Sequence, residues 1–205
     1  MQQMLQILSI ILFPFLVGIV LDEIRTPEYP GYESESLNTV NPDHLDGAFT
    51  GGFGELTCHS CHFDYDLNME GGNLITEGIP DRYEAGERYG ITVRVQSEQL
   101  EIGGFQLTAR FLESGAQAGS FSWTGDRLRF TPESSVGDSI QYIQHSSEGT
   151  TPTGNRTVEW SFEWAAPEAA QEPVLFNIAS NGGNYDDSSF GDRIYVKELT
   201  SVPAE

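Results

Sequence analysis

The chain has little cysteine and few basic residues, and each shortage argues against a class of protein. Only two of its 205 residues are cysteine, which is too few for the disulfide framework of a small secreted scaffold. Ten Lys and Arg residues stand against 31 Asp and Glu residues, so the formal net charge is −21. Because phosphate neutralisation requires clustered positive charge, we expect no nucleic-acid partner.

The sequence also lacks the motifs of several common enzyme classes. It contains neither a G-x-S-x-G nucleophile elbow nor a phosphate-binding loop. The polar stretch 181–187 and Asp192 could offer oxygen ligands to calcium, but they do not follow the EF-hand spacing and indicate an ordinary polar loop. We therefore expect a protein that is not an enzyme.

One long apolar run is present at the amino terminus. Residues 4–21 contain only two polar side chains, Gln6 and Ser9, and 18 helical residues span roughly 27 Å, close to the thickness of a bilayer core. A cleaved signal peptide normally has a basic segment before its apolar run, and none occurs here. Residues 1–21 are therefore predicted to form an uncleaved single transmembrane helix, with an atypical signal peptide as the alternative.

The remainder of the chain is divided by composition into a linker and a β-rich region. Residues 22–56 are rich in Pro, Gly, Ser and acidic residues, which predicts an extended linker. Apolar residues alternate in short runs from residue 88 onward, most clearly at Val158, Trp160, Phe162 and Trp164. About eight such runs predict an all-β fold, an Ig-like antiparallel β-sandwich over residues 81–200.

Both cysteines lie in the run TCHSCH at residues 57–62. The spacing C-x-x-C-H is the attachment pattern of c-type haem. We predict that Cys58 and Cys61 bind haem c covalently, that His62 is the proximal iron ligand, and that residues 57–80 form the haem-attachment segment. Two other interpretations stay open. The cysteines could form a disulfide or remain free thiols, or they could join histidines in a zinc or other metal site.

The sixth iron ligand is less well specified by the sequence. His145 ends a predicted strand and is the favoured distal candidate, while Met69 is a less favoured one. His44 is weaker still, and His59 is expected to face solvent. The identity of this ligand matters because methionine raises the reduction potential relative to histidine.

Several motifs occur in an order that resembles a known group of domains. They are TCHSCH after a glycine-rich lead-in, PDRYEAGERY at 80–89, GFQL at 104–107, WSFEWAAP at 160–167, FNIA at 176–179 and GDRIY at 191–195. Over residues 50–197 the chain resembles the Reeler-like, choice-of-anchor group of secreted bacterial β-sandwich domains. The resemblance implies an Ig-like sandwich, an exported location and a single haem, and it implies no enzymatic reaction. Members usually carry a normal signal peptide, and the missing basic segment here is a departure.

Two functions follow as expectations. The first is a membrane-anchored, mono-haem c-type cytochrome-like electron-transfer protein, with its main domain on the outer, periplasmic face of a bacterial cytoplasmic membrane. Its partners would be a redox carrier or other subunits of a membrane electron-transfer complex. The alternative is an accessory or scaffold subunit of a respiratory or photosynthetic complex, in which the haem is structural or absent.

Overall fold

The described domain is built from two β-sheets. The computed structural model describes residues 46–132, 139–169 and 172–204. The strands are β1 (Gly72–Glu77), β2 (Arg82–Tyr83), β3 (Arg88–Ser97), β4 (Ile102–Phe111), β5 (Ser120–Ser122), β6 (Leu128–Phe130), β7 (Ile143–His145), β8 (Thr157–Ala165), β9 (Val174–Gly183) and β10 (Arg193–Pro203). Single 3₁₀ turns cover Gly52–Gly54, Cys58–Ser60 and Glu148–Thr150.

The predicted membrane helix at residues 1–21 lies outside the described residues, as does the predicted linker up to residue 45. Within the described residues, no helix is long and apolar enough to cross a membrane.

A four-stranded sheet has the order β1-β3-β8-β5, and a six-stranded sheet has the order β2-β10-β9-β4-β7-β6. The all-β, two-sheet sandwich predicted from the sequence is therefore confirmed. Its purely antiparallel character is not, because β2 pairs with β10 in parallel. β1 precedes residue 81, so part of the range assigned to the haem-attachment segment belongs to the four-stranded sheet.

The alternating apolar residues form the core between the sheets. Ile91, Val93 and Val95 on β3 are fully buried, and the stripe from Val158 to Trp164 on β8 is buried beside them. The ring of Phe105 stacks on Trp160 with 4.5 Å between centroids. Such burial contributes roughly 25 cal/mol per Å² of apolar surface and is the main stabilisation of the sandwich.

The outer face of the six-stranded sheet is also buried, but by polar contacts. Gln106, Thr108 and Asn177 point away from the core and are almost fully buried. The amide of Gln106 accepts a hydrogen bond from Phe49 N at 2.6 Å and donates one to the Gly47 carbonyl at 2.8 Å. Residues 46–56, which the composition assigned to a linker, therefore belong to the folded domain.

Candidate functional site

The C-x-x-C-H motif forms one helical turn. The Thr57 side chain caps the turn by accepting a hydrogen bond from His59 N at 3.2 Å. The carbonyl of Cys58 accepts from Cys61 N at 3.3 Å and from His62 N at 3.1 Å. Because residues three and four apart lie on one side of a helical turn, the two thiols and the His62 imidazole share one face.

That face borders a cavity of about 660 Å³ over the outer side of the six-stranded sheet. The turn contributes Cys58, Cys61 and His62 to the lining, while β4 contributes Gly104 and the end of β7 contributes His145. Cavities of about 300–1,000 Å³ are typical of small-molecule and cofactor sites. The fold thus brings the predicted haem anchors, the proximal ligand and the favoured distal ligand to one cavity.

His62 is held in one tautomer by a buried carboxylate. Its Nδ1 lies 2.7 Å from Asp192 Oδ2, and the Asp192 side chain is only 6% exposed. An ionised carboxylate only accepts hydrogen bonds, so Nδ1 is the donor in this contact, and Nε2 is the ring nitrogen left to bind a metal when the imidazole is neutral. Among the described residues, nothing forms a hydrogen bond with Nε2 of His62.

Asp192 is itself fixed by two further donors. Asn181 Nδ2 donates to its Oδ2 at 3.1 Å, and Asn184 N donates to its Oδ1 at 3.1 Å. Burial alone raises the pKa of Asp192, but the hydrogen bonds from His62, Asn181 and Asn184 outweigh burial and lower that pKa below its ordinary value. Asp192 is therefore a carboxylate at neutral pH.

The contact between His62 and Asp192 was missed by sequence reasoning. From the sequence, Asp192 was considered only as a possible calcium ligand and as part of the GDRIY motif. It lies 130 residues from His62, and no spacing rule connects the two positions. Only the pairing of β9 with β10 and the docking of residues 46–62 bring them together.

The two cysteines are free thiols in this structure. Burial raises the pKa of the Cys58 thiol to about 12, so it is protonated at neutral pH. Cys61 is exposed. Across residues 46–132, 139–169 and 172–204, no group of three or more His, Cys, Asp or Glu side chains is arranged to hold a metal ion by itself.

His145 lies against the backbone of β4. Its Nδ1 is 3.0 Å from both the nitrogen and the carbonyl oxygen of Phe105. A Cβ on Gly104 would come within 2.7 Å of the His145 ring. Glycine at position 104 therefore lets this imidazole lie flat against the strand at the edge of the cavity.

The other sixth-ligand candidates do not reach the cavity or lie outside the described residues. Met69 is absent from the lining and is partly exposed. His59 is also absent from the lining, and its Nε2 forms a 2.8 Å hydrogen bond with the Tyr65 carbonyl. His44 lies outside the described residues.

A side chain that sequence reasoning did not single out anchors the motif segment. Glu55 accepts hydrogen bonds from Arg110 Nη1 at 2.8 Å and from the Thr50 hydroxyl at 2.6 Å. It also accepts a hydrogen bond from the Tyr142 hydroxyl. Burial, together with this contact to Glu55, raises the pKa of Tyr142 well above its usual range. Glu55 thus ties the segment preceding the cysteines to the sheet beneath it.

Comparison with known proteins gives likenesses to solved structures only. No protein-family model matches the chain, and no curated protein matches it. The human F-spondin reeler domain is similar with a TM-score of 0.44 and 20% identity, covering 66% of this chain and 92% of that one. The Reelin-N domain of F-spondin gives a TM-score of 0.44 and 21% identity, covering 66% and 89%.

A cohesin module from a Clostridium perfringens family 33 glycoside hydrolase is also similar. Its TM-score is 0.40 at 11% identity, covering 65% of this chain and 98% of that one. At such scores these likenesses assign neither a family nor a function to this chain. The two-sheet β-sandwich is defined by the strand pairing of the chain itself.

Proposed function

We propose that this chain is a mono-haem c-type electron-transfer protein, with haem c bonded to Cys58 and Cys61 and its iron ligated by His62. One observation carries the proposal. A single capped helical turn directs both thiols and the imidazole toward a cavity of about 660 Å³. Asp192, which lies outside this turn, holds His62 by its Nδ1, the nitrogen that a haem iron would not use.

The donor set fits this cofactor. Attachment of haem c requires two thiols at this spacing and an imidazole nitrogen next to them. The hydrogen bond to Asp192 leaves the lone pair of His62 on Nε2. His145 lines the same cavity, which supports it over Met69 as the distal ligand. When bound, haem supplies a one-electron redox couple.

The candidate haem site is attached to β4, a central strand of the six-stranded sheet. Gln106 and Arg110 on β4 bind the segment that carries the turn, through Phe49 and Glu55 respectively. β4 is the strand that also lines the cavity, and its inner face packs in the core. Placing ligands on such a support keeps their geometry constant while the cofactor changes charge.

The location of the domain is part of the same proposal. Residues 1–21 would anchor the chain in a bacterial cytoplasmic membrane, and the Reeler-like, Ig-like domain would lie on its periplasmic side, where haem c is attached. An anchor raises the effective concentration of the domain near membrane partners. The net charge of −21 favours a redox partner or complex subunit with a basic face.

A scaffold subunit of a membrane electron-transfer complex is the second candidate, with the haem structural or absent. The rings of Phe63 and Phe190 pack edge to face at 5.7 Å, yet these residues are 58% and 54% exposed. Exposed apolar surface next to the motif suits contact with another protein.

The decisive experiment is intact mass with a pyridine haemochrome spectrum on protein purified from its native membrane. We expect a covalent mass gain of one haem and a c-type α-band, both abolished when Cys58→Ala and Cys61→Ala are combined. His62→Ala should alter the absorption bands that report the axial ligand. His59→Ala is the matched control, since it removes an imidazole of the same turn that does not line the cavity.

A chain that carries no haem would contradict the proposal. The proposal that this chain transfers electrons would then be wrong, and the scaffold subunit would become the favoured function.

A further inference from the structure

The acceptor for His62 Nδ1 is a charged carboxylate. Asp192 Oδ2 lies 2.7 Å from that nitrogen, a distance typical of charge-assisted hydrogen bonds. The Asp192 side chain is 6% exposed and the His62 side chain is 32% exposed, so the carboxylate end of the contact is shielded from water. A histidine whose Nδ1 proton is shared with a buried carboxylate is a stronger electron donor at Nε2.

The carboxylate cannot easily turn away from His62. Both of its oxygens are engaged, Oδ2 by His62 and Asn181 and Oδ1 by the backbone of Asn184. Gly183 leaves room for it, because a Cβ there would lie 3.3 Å from Asp192 Oδ1. This bracing fixes the plane of the imidazole as well as its tautomer.

We propose that Asp192 is a positioning residue that lowers the reduction potential of the haem bound through His62. The inference rests on the proposed function and extends it from cofactor binding to redox regulation. Greater electron donation from the imidazole favours the oxidised, more positive iron over the reduced one, and second-shell hydrogen bonding of this kind sets haem potentials. A lower reduction potential makes the reduced haem a better electron donor and makes the oxidised haem harder to reduce with weak reductants.

A general effect of negative charge has to be separated from this specific one. Asp187 also lines the cavity and is exposed, and its side chain forms no hydrogen bond with any described residue. Its backbone φ is +60°, a conformation that asparagine adopts readily. Asp187→Asn therefore removes one charge at the cavity without removing a contact.

The test compares the reduction potentials of Asp192→Asn, Asp187→Asn and the wild-type holoprotein by spectroelectrochemical titration at constant ionic strength. Asparagine at position 192 keeps the shape of the side chain, and its oxygen can still accept from His62 Nδ1. Its amide nitrogen then replaces the oxygen that accepts from Asn184 N, so the variant removes the charge and that one backbone contact. We expect Asp192→Asn to favour reduction by about tenfold or more, which is about 59 mV for one electron. Asp187→Asn should shift the potential less than half as far.

Equal shifts in the two variants, or no shift in Asp192→Asn, would overturn the proposal while leaving haem binding intact. Wild-type protein without covalent haem, detected by intact mass, would overturn the proposed function and this assignment with it. If Asp192→Asn does not fold, Asn181→Ala replaces it. Removal of the amide that competes for Oδ2 should shift the potential downward, and an unchanged or raised potential would overturn the proposal.

Discussion

The two faces of β4 are both buried, but they are buried by different chemistry. On the inner face, Phe105, Leu107 and Ala109 pack against the aromatic residues of β8. On the outer face, Gln106 and Thr108 are equally buried, yet their side chains form hydrogen bonds with the chain that covers them. The inner face holds the sandwich together, whereas the outer face holds the motif segment and the cavity.

This difference explains where the candidate site lies. An apolar face must be filled completely, since voids in a packed core are costly. A polar face needs only its donors and acceptors satisfied, so it can leave space beside the covering segment. The cavity occupies such a space, next to Gly104 and His145.

Substitutions in the core that packs on the inner face of β4 should cause the largest loss of stability. Trp160→Ala removes the ring stacked on Phe105 and the indole donor to the Gly149 carbonyl. We expect the free energy of unfolding to fall by about 3–5 kcal/mol, measured by chemical denaturation. Trp123→Ala, at a partly exposed tryptophan, is the matched control and should cost less. Equal losses would show that the inner face is not the dominant core.

Two Arg–Glu pairs allow the buried outer face of the six-stranded sheet to be compared with the solvent-exposed face of the four-stranded sheet. The Glu55–Arg110 side chains are 12% and 16% exposed, whereas Glu163 and Arg88 on the four-stranded sheet are 55% and 61% exposed. Glu55→Gln should reduce the free energy of unfolding by about 1.5–3 kcal/mol, because a charged hydrogen bond is lost in a partly buried site. Glu163→Gln should cost less than about 1 kcal/mol. A similar cost for both, in matched denaturation curves, would mean that Glu55 does not anchor the segment.

Gln106→Ala tests whether the polar face fixes the motif segment. It leaves Phe49 N without its partner, and we expect a loss of about 1–2 kcal/mol, in the range for an unsatisfied buried group. Amide hydrogen exchange should increase in residues 46–62 more than in β8. Gln96→Ala, at an exposed glutamine of β3, serves as the control. Uniform acceleration across the domain would contradict a local anchoring role.

The smallest effect on stability is expected from Tyr142, and it should appear only at high pH. The folded-state pKa of Tyr142 is raised, and in the unfolded chain the side chain ionises near pH 10. Its contribution to stability is therefore complete below about pH 10 and is lost as the pH rises toward the folded-state pKa. Between about pH 9 and pH 11, wild-type protein should lose more stability than Tyr142→Phe does. Tyr185→Phe, at an exposed tyrosine, should keep the wild-type slope, and parallel slopes for all three proteins would contradict the prediction.

The strand pattern was predictable wherever burial followed alternation. Ile91, Val93 and the Trp160 stripe have apolar side chains at every second position because one face of each strand meets the core. The strands β1 and β2 were not predicted, since Leu74 and Tyr83 are their only buried residues and a single buried residue gives no alternation. The burial of Gln106 and Thr108 on β4 was not predicted, because no local pattern shows which segments cover these polar side chains.

The sequence by itself determined the β-sandwich core and grouped Cys58, Cys61 and His62 in one C-x-x-C-H motif, since both depend on periodicity and spacing along the chain. Only the tertiary structure decided that this turn lies over the outer face of the six-stranded sheet, that His145 borders the same cavity and that Asp192 holds His62. The hydrogen bonds behind those relations join residues 55 to 130 positions apart. The relations exist only once hydrogen bonds through Gln106 and Glu55 have docked the motif segment onto the sheet.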